Sequence, residues 1–145
     1  MDDYDRGDWQ FWNDADNENF LKSACFVYLI EFSSGEFYVG QKRIYRGLKN
    51  SSHINSNSKQ SNWKTYNTSS TEVKNRIEAG EEHQRFVLAC FDSYAEAIHA
   101  ESVLISMLSY KPECLNKALI TKFRFGKWND VEHMKRILAL LEELR

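Results

Sequence analysis

The chain has 145 residues, of which 42% are hydrophobic and 14% are aromatic, and its formal net charge is −2. This length suits one domain, and the apolar content is enough for one packed core, which excludes wholesale disorder. The apolar runs are too short to span a membrane and the acidic N-terminus lacks the apolar region of a secretory signal, so we expect a cytoplasmic protein with no membrane partner.

The charges are unevenly distributed along the chain. Residues 1–23 contain seven acidic residues against Arg6 and Lys22, whereas residues 38–76 contain eight basic residues against Glu72 alone. A local basic stretch suits phosphate binding, although the overall charge argues against a protein that coats DNA in general.

Residues 1–23 are polar and acidic but include the aromatic residues Trp9 and Phe20. Two interpretations are open: a solvated tail whose aromatic side chains dock on the core, or an acidic flap that covers a basic cleft. We therefore divide the chain into an N-terminal extension at 1–23, a main domain at 24–120, and a basic segment with a C-terminal helix at 121–145.

Three segments have the composition of β-strands. Residues 25–32 and 36–40 flank the turn sequence Ser33-Ser34-Gly35 and predict a β-hairpin. Residues 84–91 predict a third strand, and the polar segment 50–62 predicts a loop.

Three helices are predicted after the hairpin. Ser69 and Glu72 have capping-box spacing and begin a helix that stops at Gly80. A second capping box begins a helix near 94–109, and an amphipathic helix lies near 130–144. The order of elements predicts a small α+β fold with helices packed on a sheet that is at least partly antiparallel.

Glu101 lies within the apolar stripe of the helix near 94–109, three residues after Ile98 and three before Leu104. A buried, ionised carboxylate without a partner costs several kcal/mol. Glu101 therefore lies at the edge of the stripe and reaches water, or pairs with a cation, or is a functional carboxylate in a cleft, where it can bind a metal.

Tyr28 and Tyr38 lie on the two strands of the predicted hairpin. Each tyrosine alone is more often a core or rim residue than a catalyst, but a hairpin can place the two hydroxyls close together. The basic stretch starts directly after Tyr38-Val39-Gly40. Phenols, basic side chains and one carboxylate are the groups that a metal-assisted phosphodiester hydrolase requires.

This arrangement resembles the GIY-YIG nuclease family, which is named for two short motifs on adjacent strands. Phe26-Val27-Tyr28 stands in place of the first motif and Tyr38-Val39-Gly40 in place of the second. The segment from Trp63 to Ser70 resembles a W-x-x-Y-x-x-S-S block of a phage-type, homing-endonuclease-like branch. The resemblance covers about residues 24–120.

The resemblance implies an α+β nuclease domain with a small three-stranded antiparallel sheet, flanked by helices, that hydrolyses DNA with one divalent cation, Mg²⁺ or Mn²⁺. By the same resemblance, Tyr28 is the candidate general base or water-positioning group, and Tyr38 is its partner near the scissile phosphate. Glu101 is the implied metal ligand, and Asn116 is an implied supporting polar residue.

The family's arginine, expected eight residues after the glycine of the second motif, is replaced by Leu48. We assign its phosphate-stabilising role to Arg46 and Lys42 jointly. His53 lies in the loop where some family members carry a histidine that assists catalysis, although a lone loop histidine is more often just solvated. The further candidates for nucleic-acid binding are Arg43, Lys49, Lys64, Ser69, Ser70 and Asn116.

Two of these assignments have structural alternatives. The segment from Trp63 to Ser70 can simply anchor the loop and cap the next helix, or its helix N-terminus can also face a phosphate. The C-terminal segment is basic at Lys122, Arg124 and Lys127, and the wide apolar face of its helix can pack on the domain, form a homodimer or clamp DNA.

Three functions are compatible with these features. The first is a metal-dependent DNA endonuclease of phage or mobile-element type, acting in the host cytoplasm if a phage encodes it. The second is a nuclease-like module that binds nucleic acid without cutting it, which the displaced arginine motivates and the retained Tyr28, Tyr38 and Glu101 oppose. The third is a protein-interaction module that acts through the acidic, Trp-rich N-terminus.

Overall fold

The computed structural model describes residues 4–119 and 125–145. They form a four-stranded sheet in the order β1-β4-β2-β3, with helices packed against it. The strands are β1 (Trp9–Phe11), β2 (Cys25–Phe32), β3 (Phe37–Arg43) and β4 (His83–Phe91). The helices are α1 (Asp14–Asn19), α2 (Thr71–Glu78), α3 (Tyr94–Leu108) and α4 (Val131–Leu144).

The predicted hairpin is confirmed, and it fixes the register of the two motifs. β2 and β3 are antiparallel, with Tyr28 opposite Gly40 and Ile30 opposite Tyr38. β4 pairs antiparallel with the other edge of β2, which agrees with the antiparallel sheet that the family resemblance implied. β3 is therefore an edge strand, and its outer side carries backbone groups that need partners outside the sheet.

The sheet has four strands rather than the three expected, because β1 pairs in parallel with β4. The ring of Trp9 packs against Phe26, and its indole N–H donates a 2.8 Å hydrogen bond to the carbonyl oxygen of Trp63. Phe20 is also fully buried. The aromatic side chains of the N-terminal segment thus dock on the core, which was the first of the two interpretations.

The sheet separates two apolar layers. Val27 and Leu29 of β2 face one side, where they pack with residues of α3 and α4. Phe26 and Tyr28 face the other side, where the long loop after β3 supplies Trp63. Because successive side chains of a strand point to opposite faces, this double burial explains why β2 is apolar at nearly every position.

The helix caps agree with the capping-box spacing at α3, whereas at α2 the cap is the second of the two serines that the sequence offered. Ser93 caps α3, as its spacing predicted, and accepts a hydrogen bond from the Glu96 N–H. At α2 the capping residue is Ser70, which accepts a hydrogen bond from the Val73 N–H, and not Ser69. The shift leaves the hydroxyl of Ser69 available for another contact.

The final helix, α4, packs on α3 through buried Ile137 and Leu140, as one of the alternatives expected. The predicted basic residues Lys122 and Arg124 lie outside the described residues. Within residues 4–119 and 125–145, no helix is both long and apolar enough to cross a membrane.

Candidate active site at the edge of β3

The backbone N–H and C=O groups on the outer side of β3 form hydrogen bonds with residues that do not belong to a strand. Asn116 pairs with Val39 in both directions: its Oδ1 accepts a 2.9 Å hydrogen bond from the Val39 N–H, and its Nδ2 donates a 2.8 Å bond to the Val39 carbonyl oxygen. Two residues earlier in the strand, the backbone of Phe37 forms hydrogen bonds with the backbone of Glu113 and Leu115. Asn116 therefore fixes the position of the strand between Tyr38 and Gly40.

Glu101 reaches the same edge from α3. Partial burial raises the pKa of its carboxyl group to about 7, and the backbone N–H of Gln41, which faces the carboxylate, opposes that rise. No ion pair connects Glu101 to any lysine, arginine or histidine in the described part of the chain. The carboxylate thus lies at the edge of β3 without a compensating cation.

Tyr28 and Tyr38 lie side by side, with their ring centroids 6.3 Å apart. The Tyr28 hydroxyl lies 3.2 Å from the Thr68 hydroxyl oxygen, and the Tyr38 hydroxyl lies 3.3 Å from that of Ser69. The two rings differ in burial, because Tyr28 is fully buried whereas Tyr38 is partly exposed. Burial also raises the pKa of Tyr28 well above its usual range.

Gly40 makes this arrangement possible. A Cβ atom built at Gly40 would lie 2.3 Å from Cζ and 2.3 Å from the hydroxyl oxygen of Tyr28, well inside contact distance. The glycine of the second motif therefore lets the ring of the first motif's tyrosine cross the neighbouring strand.

Tyr66 is a third tyrosine of this cluster, and the sequence reasoning did not assign it to the site. Its ring centroid lies 6.2 Å from that of Tyr28, and the Lys42 Nζ lies 4.2 Å above the Tyr66 ring. Its hydroxyl lies close to those of Tyr28 and Ser69, and the negative charge of Glu101 acts on it. Partial burial raises the pKa of Tyr66 and lowers the pKa of Lys42.

Arg85 contacts the backbone of Tyr66, and the sequence analysis did not assign it to the site either. Its guanidinium is almost completely buried, stacks 4.3 Å above the Trp9 ring and donates a hydrogen bond to the backbone carbonyl oxygen of Tyr66. The nearest described carboxylate, that of Asp8, is 3.9 Å away. The 63–70 block was the sequence signal for Tyr66, whereas nothing in the local sequence marked Arg85.

A basic groove adjoins the cluster beside Lys42. It has a volume of about 420 Å³, and acidic residues are absent from its described lining. The lining residues are Lys42, Arg43, Tyr45, Arg46, Gly47, Ser61 and Asn62. The structure thus brings three of the predicted basic residues to one surface, with Arg43 stacked on the Tyr94 ring and Arg46 exposed.

The remaining predicted residues lie outside this cluster or have other contacts. His53 and Lys49 are exposed in the loop after β3, and no contact described for either side chain joins it to the tyrosines. Lys64 is exposed and lies 3.7 Å from Asp5. Ser70 is used as the cap of α2, so its hydroxyl already has a partner.

A divalent cation fits the chemistry of this edge. Within residues 4–119 and 125–145, no three His, Cys, Asp or Glu side chains converge as a metal cage. Mg²⁺ is commonly held by one or two carboxylates together with water and substrate phosphate rather than by a full cage of protein ligands. Glu101 is a partly buried carboxylate that no cationic side chain of the described residues neutralises. Its negative charge is therefore available to a bound Mg²⁺.

Comparisons with known proteins agree with these features. A family profile described as "endonuclease segE, GIY-YIG domain" matches residues 9–113, which include β1, both motif strands and Glu101. "Intron-associated endonuclease 2" of Enterobacteria phage T4 is 30% identical over 131 residues, which cover 88% of this chain. The chain spans 45% of the length of that relative. No solved structure matches the chain significantly.

Proposed function

Because the chain belongs to the GIY-YIG family of endonucleases, we propose that it hydrolyses phosphodiester bonds of DNA, with Mg²⁺ or Mn²⁺, at the edge of β3. The observation that carries this proposal is the convergence of Tyr38, Tyr66, Lys42 and Glu101 around one open edge of the sheet. These groups come from one strand, a loop and a helix, so their proximity is a property of the fold and not of one motif.

The two more exposed tyrosines contact the substrate in this proposal. Tyr28 is fully buried and its pKa is raised, so its hydroxyl stays protonated at neutral pH and is not available as a general base. Tyr38 and Tyr66 are only partly buried, and their hydroxyls can reach a phosphate or its attacking water. Tyr28 then acts as the group that fixes the positions of Thr68 and Tyr66.

The basic residues neutralise the phosphate charge in this proposal. The Lys42 ammonium lies on the ring of Tyr66, next to the proposed position of the scissile phosphate. Arg43 and Arg46, in the basic groove, bind the neighbouring part of the DNA backbone. Positive groups that are held in place before the reaction stabilise the charge that develops on phosphorus-bound oxygens.

Glu101 holds the cation in this proposal, and the bound cation supplies positive charge to the phosphate and its leaving oxygen. The Gln41 N–H keeps the carboxylate oriented toward the strand edge. Asn116 acts on the same strand segment by holding Val39, so we assign it a positioning role as well as its predicted contact with DNA.

The relative from phage T4 and the basic groove together support a phage-type enzyme that acts on DNA in the host cytoplasm.

Homodimerisation through α4 stays a prediction. Val131 and Leu138 of that helix are exposed and provide an apolar surface for a second copy. Sedimentation of the wild type against Leu138→Glu tests it: a dimer that the variant dissociates supports the proposal, and a wild-type monomer contradicts it.

The alternative is a module that binds DNA without cutting it, and the replacement of the family arginine by Leu48 is the observation that favours it. Incubation of the purified protein with supercoiled plasmid, in Mg²⁺, in Mn²⁺ and in EDTA, separates the two functions. Nicking or linearisation that requires metal supports the endonuclease. DNA binding that survives EDTA, with no cleavage in either metal, supports the binding module.

A further inference from the structure

Gln41 is the residue of the strand edge whose side chain has no assigned role. Its backbone N–H faces the Glu101 carboxylate. Its side-chain Oε1 is buried from solvent and has no hydrogen-bond partner among the described residues. A buried polar atom without a partner is uncommon in folded proteins and calls for an explanation, such as an ion that binds there.

The register of β3 places this oxygen on the same side of the sheet as Glu101. Val39, two residues before Gln41, packs in the apolar layer with α3. Arg43, two residues after Gln41, stacks 4.4 Å from the ring centroid of Tyr94, the first residue of α3. Because side chains two apart in a strand share a face, Gln41 also faces α3, the helix that carries Glu101.

The chemistry of the two side chains is complementary to one ligand. A carboxylate and an amide carbonyl are both hard oxygen donors, which is the ligand type that Mg²⁺ and Mn²⁺ prefer. Together they carry a single negative charge, so a divalent cation between them keeps a net positive charge with which to attract a phosphate.

We propose that the Oε1 of Gln41 is a second protein ligand of the divalent cation held by Glu101. This inference rests on the proposed metal-dependent function and adds a ligand to it. The competing explanation is a packing defect, in which a leucine at position 41 would serve the fold equally well and the cation would bind through Glu101 alone.

The test is direct Mn²⁺ binding at pH 8 without DNA, followed by the loss of the free Mn²⁺ signal in electron paramagnetic resonance. Gln41→Leu should weaken Mn²⁺ binding about tenfold, whereas Gln41→Glu, which adds a carboxylate at the same reach, should strengthen it. The matched controls are Gln84→Leu and Gln84→Glu at an exposed position of β4, which should leave the affinity unchanged.

Thermal melting in EDTA accompanies each measurement. Gln41→Leu removes an unpaired buried oxygen and should not lower the melting temperature, so weaker Mn²⁺ binding cannot be ascribed to unfolding. If that variant fails to fold, Gln41→Glu decides: an affinity at or below that of wild type overturns the proposal.

Glu101→Gln separates this inference from the proposed function. If Glu101→Gln weakens Mn²⁺ binding while both Gln41 variants bind as wild type does, the Gln41 role is wrong and the metal site stands. If Glu101→Gln leaves the affinity unchanged, the metal site itself is wrong, and the role of Gln41 is wrong with it.

Discussion

At the scale of single residues, the partly buried carboxyl group of Glu101 makes the stability of the fold depend on pH. Burial raises its pKa to about 7 from an ordinary value of 4.5, so the folded protein holds a proton there more tightly than the unfolded chain does. A raised acid pKa means that stability is lost as the pH rises from about 4.5 to 7, and the loss is complete above that window.

Replacement of Glu101 by glutamine should therefore stabilise the metal-free protein at pH 8 and leave it nearly unchanged at pH 4.5. The expected gain in the free energy of unfolding at pH 8 is about 2 kcal/mol, since part of the shift is offset by solvent at this partly exposed site. Urea denaturation in EDTA at the two pH values measures it, with Glu78→Gln on the exposed side of α2 as the control. An equal effect of Glu101→Gln at both pH values would show that proton binding is not its cause.

Tyr66 provides a second test at the residue scale. Tyr66→Phe keeps the ring that contacts Lys42 and Tyr28 but removes the hydroxyl. We expect kcat to fall about 10- to 100-fold with KM and the melting temperature nearly unchanged. The matched control is Tyr4→Phe, whose hydroxyl donates a hydrogen bond to the Asn17 carbonyl oxygen, outside the cluster and the basic groove. Unchanged kcat in Tyr66→Phe would limit Tyr66 to a packing role.

The residues of the site were only partly predictable. Tyr28 and Tyr38 could be found because a hairpin has a fixed geometry, so local spacing alone brings them together. Glu101 could be found because a carboxylate interrupted an apolar stripe. Arg85 could not be found, because its proximity to the tyrosines depends on long-range packing that no local pattern encodes.

At the scale of elements, the edge strand β3 determines where the site can form. Strand edges are normally covered or shortened, since their free backbone groups invite pairing with another chain. Here the side-chain amide of Asn116 performs the pairing at Val39. Beyond Gly40 the contact with the strand edge comes instead from Glu101, whose carboxylate faces the Gln41 N–H.

Asn116→Ala removes both hydrogen bonds and should destabilise the protein by about 2 kcal/mol, at about 1 kcal/mol for each bond. Hydrogen exchange of the Val39 amide, read by NMR, should accelerate more than that of amides in β4. Asn129→Ala, at an exposed position before α4, is the control. If Val39 exchanges as slowly in Asn116→Ala as in wild type, the amide clamp does not hold the strand.

The elements themselves were largely predictable, and the exceptions have local causes. The hairpin, β4, α3 and α4 combine strong periodicity with caps or turns, and their ends were predicted within two residues, except that β3 continues three residues beyond its predicted end, to Arg43. β1 was missed because three residues in an acidic segment give no periodic signal. Ser70 caps α2, whereas the hydroxyl of Ser69 lies 3.3 Å from that of Tyr38, a contact between distant parts of the chain that capping-box spacing does not encode.

At the scale of the whole molecule, the N-terminal segment is part of the folded core. Trp9 and Phe20 are buried with Phe26 and Tyr28 in the layer beneath the tyrosine cluster. The acidic side chains of the segment lie near basic ones, Asp5 near Lys64 and Asp8 near Arg85. The segment therefore combines burial of aromatic surface with partial neutralisation of nearby positive charge.

A chain that lacks residues 1–23 should fail to fold or melt far below the wild type, because it loses a strand and two buried aromatic side chains. Loss of one such aromatic side chain alone costs about 3–5 kcal/mol, a large part of the stability of a small domain. Circular dichroism melting curves of the two chains measure the difference. A truncated chain that melts as the wild type does and cleaves DNA faster would instead identify the segment as a flap.

The most direct test of the central claim compares Glu101→Gln with the wild type on one defined DNA duplex. Cleavage is followed in saturating Mg²⁺, and binding is followed by fluorescence anisotropy in EDTA. The proposed site predicts that cleavage falls about 100-fold or more while the affinity for DNA in EDTA stays within about twofold, since Glu101 holds the cation and not the DNA backbone. Wild-type cleavage rates in Glu101→Gln would contradict the claim that this edge of β3 is the active site.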